Sequence, residues 1–422
     1  MTRDRLVFTL AGTATVAVFA VIAATDNLHQ RIPLLLALYG VAFGAYAAGL
    51  RVAFSLRRAD RFLLVVMLAA AVLARIVLVP ARPDLSTDIY RYAWEGRVVL
   101  HGANPFSVAP ADSSLVALRD DDYGLINHRH MATIYPPLAQ AVFACAAWIH
   151  PGVSTLKVLF VLFDLATLAL LLVLLRVRGR PPTHALVYAW SPLVILETGH
   201  SGHMDAIGVF FLILGIVLLE RRRASAGYAA LGASFLAKYT TVVLLPFLVA
   251  RRHWRGIAIV AVVALAGYLP FLEAGPRLLD SLRTYGGTWW FNGPPYMALA
   301  GILGDPVLSR RLLAAAGVAF AVAAAFRERD IARYAFLVVG CSLLLAPTLY
   351  PWYLTWIVPF LCLYPSRAWI AFTGLVALSY WVWVVYGDSG AWILPGWVLA
   401  LEYIPFYALL AWQGMRRTVA SA

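Results

Sequence analysis

The chain has 422 residues, of which 62% are hydrophobic and only 13% charged. That excludes a soluble globular domain, whose charged share is about 25%, and repeated apolar runs of about 14 to 20 residues imply a polytopic helical membrane protein. The net charge of +13 does not indicate nucleic acid, because the basic residues fall in small clusters between apolar runs, the habit of cytoplasmic loops.

The first apolar run, 6–24, follows a short basic lead (Arg3, Arg5) but ends in Thr25-Asp26-Asn27 without a small-x-small cleavage pattern, so it reads as a retained span. Further full spans are expected at roughly 33–50, 62–80, 156–175, 184–198, 204–220, 256–272, 306–325, 333–347, 351–364, 368–386 and 396–413, twelve in all. Cys145, Cys341 and Cys362 lie inside apolar runs and read as small buried residues. With the N-terminus placed in the cytoplasm, the inner loops hold 21 of the 34 Lys and Arg, including Arg57, Arg58, Arg178, Arg251 and Arg417. The outer segments then hold 8, which sets the orientation with both termini inside.

Two apolar stretches are not full crossings. Residues 136–149 are short, and both flanks need to lie outside. The run 227–250 has basic clusters at both ends and Lys238 near its middle. About eleven residues each way reach roughly 17 Å, short of a hydrocarbon core of about 30 Å. A re-entrant pair turning at Lys238-Tyr239-Thr240 is therefore expected, with Lys238 facing a cavity. The whole chain reads as one integral membrane domain, 1–422, whose outer side gathers the 81–135 loop, the segment 199–205, the 273–300 loop and residues 347–353.

Chemistry concentrates in the 81–135 loop, which carries seven of the 21 acids: Asp84, Asp88, Glu95, Asp112 and Asp120 to Asp122. A helix starting near Ser86 would set Asp88, Arg91 and Glu95 on one side and end by Gly102 and Asn104-Pro105. Asp88 is the expected general base, because a carboxylate held within hydrogen-bond reach of a hydroxyl can take its proton. The alternative is a helix lying in the headgroup region with its charges solvated; the Asp120–Asp122 run reads as solvated loop. Lys238 is one of only two lysines, and a buried ammonium needs an anion. It is expected to meet a substrate phosphate; the competing reading is an internal pair with Glu197 or Asp205. Arg75, Arg91 and Arg97 are further phosphate candidates, although Glu95 lies four residues from Arg91 and pairs with it without any ligand. His200, His203 and Asp205 are read as cavity-lining hydrogen-bonding groups; their spacing is a weak metal signal. Trp289, Trp290, Tyr350, Trp352 and Tyr353 suit either an interface belt or a sugar platform.

Ser86-x-Asp88-Ile-Tyr-Arg-Tyr-x-Trp-x-Gly-Arg-Val98 followed by Gly102-x-Asn-Pro-Phe106 resembles the first outer loop of the GT-C superfamily of membrane glycosyltransferases, closest to bacterial polyprenol-phosphate-mannose-dependent mannosyltransferases. Ile134-Tyr135-Pro136-Pro137-Leu138, Gly199-His200-x-x-His203-x-Asp205, Ala237-Lys238-Tyr239-Thr240 and Leu349-Tyr350-Pro351-Trp352-Tyr353 extend the resemblance in order along most of the chain. It implies a GT-C-like bundle that moves a sugar, expected to be mannose, with inversion from a polyprenyl-phosphate donor to a lipid or glycan acceptor outside the membrane. Asp88 would act as base, Lys238 and nearby arginines would hold the leaving phosphate, and Glu95, Tyr135, the histidines, Asp205 and the aromatics would line the substrate site. Relatives commonly carry Asp where this chain has Glu95. Some superfamily members hold a divalent cation (Mg or Mn) at the loop acids and others do not, so metal use stays open. The rival readings are a transporter or flippase using Lys238, Asp164 and Glu197 along a path, though only one broken element was found where paired repeats are usual, and a polymerase or ligase of lipid-linked glycans.

Overall fold

The first apolar runs fold as the helices Arg3–Ala23, Ile32–Ser55 and Arg61–Ile76. The computed structural model describes residues 2–55 and 60–421, and among these it is all-helical apart from a single bridge between Phe291 and Thr348. Arg57 and Arg58, counted above with the inner loops, lie outside the described residues, as does the side chain of Arg417. Helix starts follow local chemistry. Asp60, Asp305 and Asp330 each accept a backbone N–H from the first turn of the helix they precede, at 2.9 to 3.0 Å, the role short acidic side chains fill at N-caps.

Among the described residues six helical stretches are long and apolar enough to cross a membrane: Arg3–Ala23, Ile32–Ser55, Val153–Val177, Trp254–Thr288, Pro306–Arg327 and Arg367–Ser389. Shorter apolar helices pack among them, and the chain is a polytopic membrane protein.

The loops sort to two ends. At one, Arg5 pairs with Asp60 at 2.9 Å, and Arg178 reaches Asp330 at 2.6 Å and Glu220 at 2.5 Å. There too Thr183 donates to the Ala53 carbonyl at 3.2 Å and Arg251 to that of Phe326 at 3.2 Å. At the other end the Leu28 N–H donates to Asp84 at 2.6 Å, Trp383 to the Leu85 carbonyl at 3.1 Å and Asn104 to the Phe271 carbonyl at 3.2 Å. The basic loops expected inside thus share one end, and the 81–135 loop lies at the other.

Two expected spans are not regular helices. Residues 184–198 fall in a chain of short pieces, Pro182–Ala185, Leu186–Ala189, Pro192–Ile195 and a π turn at Leu196–His200. Residues 351–364 are likewise split into Pro351–Trp356 and Val358–Leu361. Both run between the two ends through the interior, where their side chains are almost all buried. Pro192, Pro351 and Pro359 interrupt them, and such backbone is tolerated at membrane depth only where protein surrounds it. Part of the expected 273–300 loop also continues as helix, bending at Gly275 (φ 53°) and resuming at Asp280–Thr288. Cys145 is exposed rather than buried; Cys341 is half-buried and Cys362 buried.

The hairpin expected for 227–250 is present. The helix Ala224–Ala237 stops at Lys238, whose backbone is extended, and the chain returns through Tyr239–Leu244 and Leu245–Ala250. The Tyr228 hydroxyl lies 2.9 Å from His253 Nδ1, so both ends of the segment meet. Its outgoing arm has 14 residues, about 21 Å of helix.

The helix Asp88–Leu100 forms where the polar loop predicted it, and Gly102 (φ 81°) leads the chain out of it. It packs on Pro137–Ile149 so closely that a Cβ at Gly96 would stand 2.3 Å from the Phe143 carbonyl oxygen. Backbone cannot yield as a side chain does. Gly96→Ala is therefore expected to cost about 1–3 kcal/mol, read as a lower melting temperature in detergent; an unchanged melting temperature would show that the two helices part freely.

Candidate active site

The end that gathers the 81–135 loop encloses a cavity of about 1140 Å³, just above the usual range for small-molecule sites, about 300–1,000 Å³. Asp88, the first residue of its helix, lines it half-buried and is the sole carboxylate among the described lining residues. Asn127 donates to Asp88 Oδ1 at 2.8 Å, leaving Oδ2 without a donor among the described residues.

Lys238 lines the same cavity from the break in the hairpin. It pairs with Asp205, which also accepts from Trp356 Nε1 at 2.6 Å. The ammonium stands 4.6 Å from the centre of the Tyr353 ring, so an internal ion pair and a place at the cavity wall coexist. One of three ammonium protons serves Asp205; the others remain for a second anion.

Tyr135, Trp289, Tyr350, Trp352 and Tyr353 also line the cavity. Tyr350 stacks between Phe291 (4.6 Å, 18°) and Trp352 (4.5 Å, 3°), and Trp352 stacks in turn on His203 (4.0 Å, 15°). The faces of Tyr350 and Trp352 are thereby covered by other rings, and these two offer edges, not platforms, to a ligand.

Other predicted site residues stand elsewhere. Arg75 is fully buried, paired with Asp164 and donating to the carbonyls of Ala71 and Ala189 at 2.9 and 2.8 Å; it does not reach the cavity. Arg97 turns outward to pair with Asp120. Glu95 is buried as the centre of a network, accepting from Arg91 Nε (2.5 Å), Thr133 Oγ1 (2.7 Å) and Gln140 Nε2 (2.6 Å). Arg91 lines the cavity but spends its guanidinium on Glu95 and on the His128 and Met131 carbonyls at 3.3 and 2.7 Å. It clamps the 127–131 loop, and so Asn127, against the helix. For Arg75, Arg91 and Glu95 the reason is common: a buried charge takes the nearest protein partner rather than wait for a ligand.

His200, His203 and Asp205 lie behind the cavity wall and face three different partners. His200 Nε2 is 3.7 Å from Asp84, His203 Nδ1 is 3.0 Å from Glu197, and Asp205 holds Lys238. Burial raises the Asp84 carboxyl above its ordinary pKa against the pull of the Leu28 N–H and His29. Among the described residues no three His, Cys, Asp or Glu come together to hold a metal ion.

Among the lining residues not singled out from sequence are Asn127, His128 and Arg310. Arg310 donates to the Trp289 carbonyl at 2.8 Å and lies 4.6 Å from the Tyr296 ring centre, closing the wall at the end of Asp280–Thr288. Asn127 and His128 follow the dismissed Asp120–Asp122 run, and no spacing rule links position 127 to position 88.

The sequence model of the MptA_B family, described as alpha-(1->6)-mannopyranosyltransferase, N-terminal domain, matches residues 9–255. The chain is similar to alpha-(1->6)-mannopyranosyltransferase A of Mycobacterium tuberculosis, 25% identical over 395 residues that cover 83% of this chain and 75% of that protein. No solved structure matches the chain. The match spans the catalytic-loop candidate and the hairpin of Lys238, and it displaces the transporter reading: the chain belongs to the alpha-(1->6)-mannopyranosyltransferase family and is a membrane mannosyltransferase.

Proposed function

We propose that this mannosyltransferase takes mannose from a polyprenyl-phosphate donor and passes it, with inversion, to a hydroxyl of a lipid or glycan acceptor, with Asp88 as general base. The carrying observation is that Asp88 is the lone carboxylate, among the described residues, on a wall it shares with Lys238. The acceptor O–H gives its proton to Asp88 while its oxygen bonds to the anomeric carbon. The bond from that carbon to the phosphate oxygen breaks, and polyprenyl phosphate leaves with the electron pair. Lys238 stabilises the charge growing on that phosphate, through the ammonium protons that Asp205 does not engage. An α product formed with inversion requires a β-linked donor.

Two features support a lipid-linked donor. The cavity is roomy enough for two substrates, and Val243, Leu282, Val339 and Leu343 give part of its wall an apolar lining suited to a prenyl chain. The charge distribution supports an outward-facing site in the cell membrane: by sequence the inner loops hold 21 of the 34 basic residues, and the described parts of those loops gather at the opposite end, which would be cytoplasmic along with both termini. Twelve crossings by one integrated unit, ten as helices and two as the broken interior segments, fit that placement.

The test is to incubate the purified protein with radiolabelled polyprenyl-phosphate-mannose and a panel of lipid and glycan acceptors. Transfer is expected to at least one acceptor; transfer from a nucleotide sugar instead would overturn the donor assignment. Lys238→Ala is expected to raise the donor KM about tenfold or more, the scale of one charged hydrogen bond, with the acceptor KM little changed. Unaltered donor kinetics would remove the phosphate contact.

A further inference from the structure

The mechanism leaves a buried constellation unused. Glu197 and His203, six residues apart, meet Ser86 from a distant part of the chain, and the three are 0%, 2% and 7% exposed. Tyr380 donates its hydroxyl to Glu197 Oε1 at 2.5 Å. The other oxygen, Oε2, lies 3.0 Å from His203 Nδ1, an ion-pair distance without hydrogen-bond geometry, and neither of these buried atoms has a hydrogen-bond partner among the described residues. On its far side His203 Nε2 lies 3.2 Å from Ser86 Oγ. Ser86 Oγ in turn accepts the backbone N–H of Asp88 at 3.3 Å.

One assignment of protons suits the Ser86 side of the ring. With the proton on Nδ1, the nitrogen beside Glu197, Nε2 is an acceptor, the Ser86 hydroxyl donates to it, and the oxygen of Ser86 is left to take the Asp88 amide. That amide is among the four at a helix N-terminus with no partner in the helix, and Thr87, the capping position, supplies no side-chain bond. The contact is reinforced by packing: Gly202 (φ 67°) lets its backbone approach so closely that a Cβ would stand 2.4 Å from Ile89 of the same helix. The ring of His203 is also fixed face to face by Trp352 of the cavity wall, at 4.0 Å.

We propose that His203 is a positioning residue for the transfer reaction: anchored by Glu197 and Trp352, it holds Ser86 where the hydroxyl caps the helix that carries Asp88, and so fixes the base relative to the acceptor site. The inference rests on Asp88 being the base. His203 touches neither substrate in this arrangement, and it does not exchange protons with the reaction. Its effect belongs to kcat, since what it controls is the distance between a carboxylate and the hydroxyl it must deprotonate, and a displacement of about 1 Å can cost about 10²-fold.

The experiment uses the full-length protein purified in detergent, with polyprenyl-phosphate-mannose and an accepted acceptor, and compares His203→Ala, Ser86→Ala, Ser86→Thr and Asp88→Asn. His203→Ala and Ser86→Ala are expected to lower kcat about 10- to 100-fold with both KM values within about twofold, and Ser86→Thr, which keeps the hydroxyl, to recover most of the loss. Ser86→Ala removes a single oxygen and carries the test alone if the histidine variant does not fold. Either of two results overturns the proposal: a kcat near wild type in folded Ser86→Ala, or a Ser86→Thr no better than Ser86→Ala. Asp88→Asn separates the failures. If it turns over normally, the base assignment itself is wrong; if it is inactive while Ser86→Ala is not, only the positioning chain is wrong.

Discussion

Asp88→Asn is expected to lower mannosyl transfer at least about 10²–10⁴-fold, the usual contribution of a positioned general base, with KM for donor and acceptor little changed. Asparagine is nearly isosteric with aspartate, and its amide oxygen can still accept the Asn127 N–H that now reaches Oδ1 at 2.8 Å. The helix Asp88–Leu100 is held by other means, among them the Arg91–Glu95 pair and the packing of Gly96 on Phe143. The variant should therefore fold and lose chemistry alone. The measurement is initial-rate transfer from labelled polyprenyl-phosphate-mannose, beside a melting curve in the same detergent. Turnover at the wild-type rate would remove Asp88 from the reaction.

Arg75→Ala is expected to be the most damaging substitution for stability. Arg75 and Asp164 are both 0% exposed and pair with each other. Removing one partner of a buried pair strands the other charge, at a cost of about 3–5 kcal/mol. It would also free the Ala71 and Ala189 carbonyls that the guanidinium now satisfies. The second of these lies in the broken segment between Leu186 and Ile195, where the backbone cannot satisfy itself. A sharp loss of folded protein is thus the expected outcome, read by size-exclusion yield and melting temperature. Arg75→Ala/Asp164→Ala, which strands no charge, should recover part of it. If Arg75→Ala folded normally and instead raised the donor KM, a phosphate role would return in place of the structural one.

Much of the framework of the site is written in short stretches of the chain. The helix from Asp88, its exit near Gly102 and the turn at Lys238 follow from features carried within a few residues of chain, such as side-chain spacing, glycine and a charge inside an apolar run. Which arginine meets which acid was not legible in the same way. Arg91 with Glu95, four residues apart, could be foreseen; Arg75 with Asp164 and Lys238 with Asp205 could be offered only among alternatives or not at all. Asn127 was passed over because its link to Asp88 spans thirty-nine positions of irregular loop.

From its sequence alone, this protein was bound to be a helical membrane protein with one polar, acid-rich loop, because hydropathy is a sum over neighbours and needs no fold to evaluate. Tertiary structure alone decided that 182–200 and 351–364 pass through the interior as broken segments rather than as regular spans, since an apolar run reads the same whether lipid or protein surrounds it. It also decided that His203 backs the helix of Asp88 rather than lining the cavity, because a side chain's partners are set by which distant segments pack beside it.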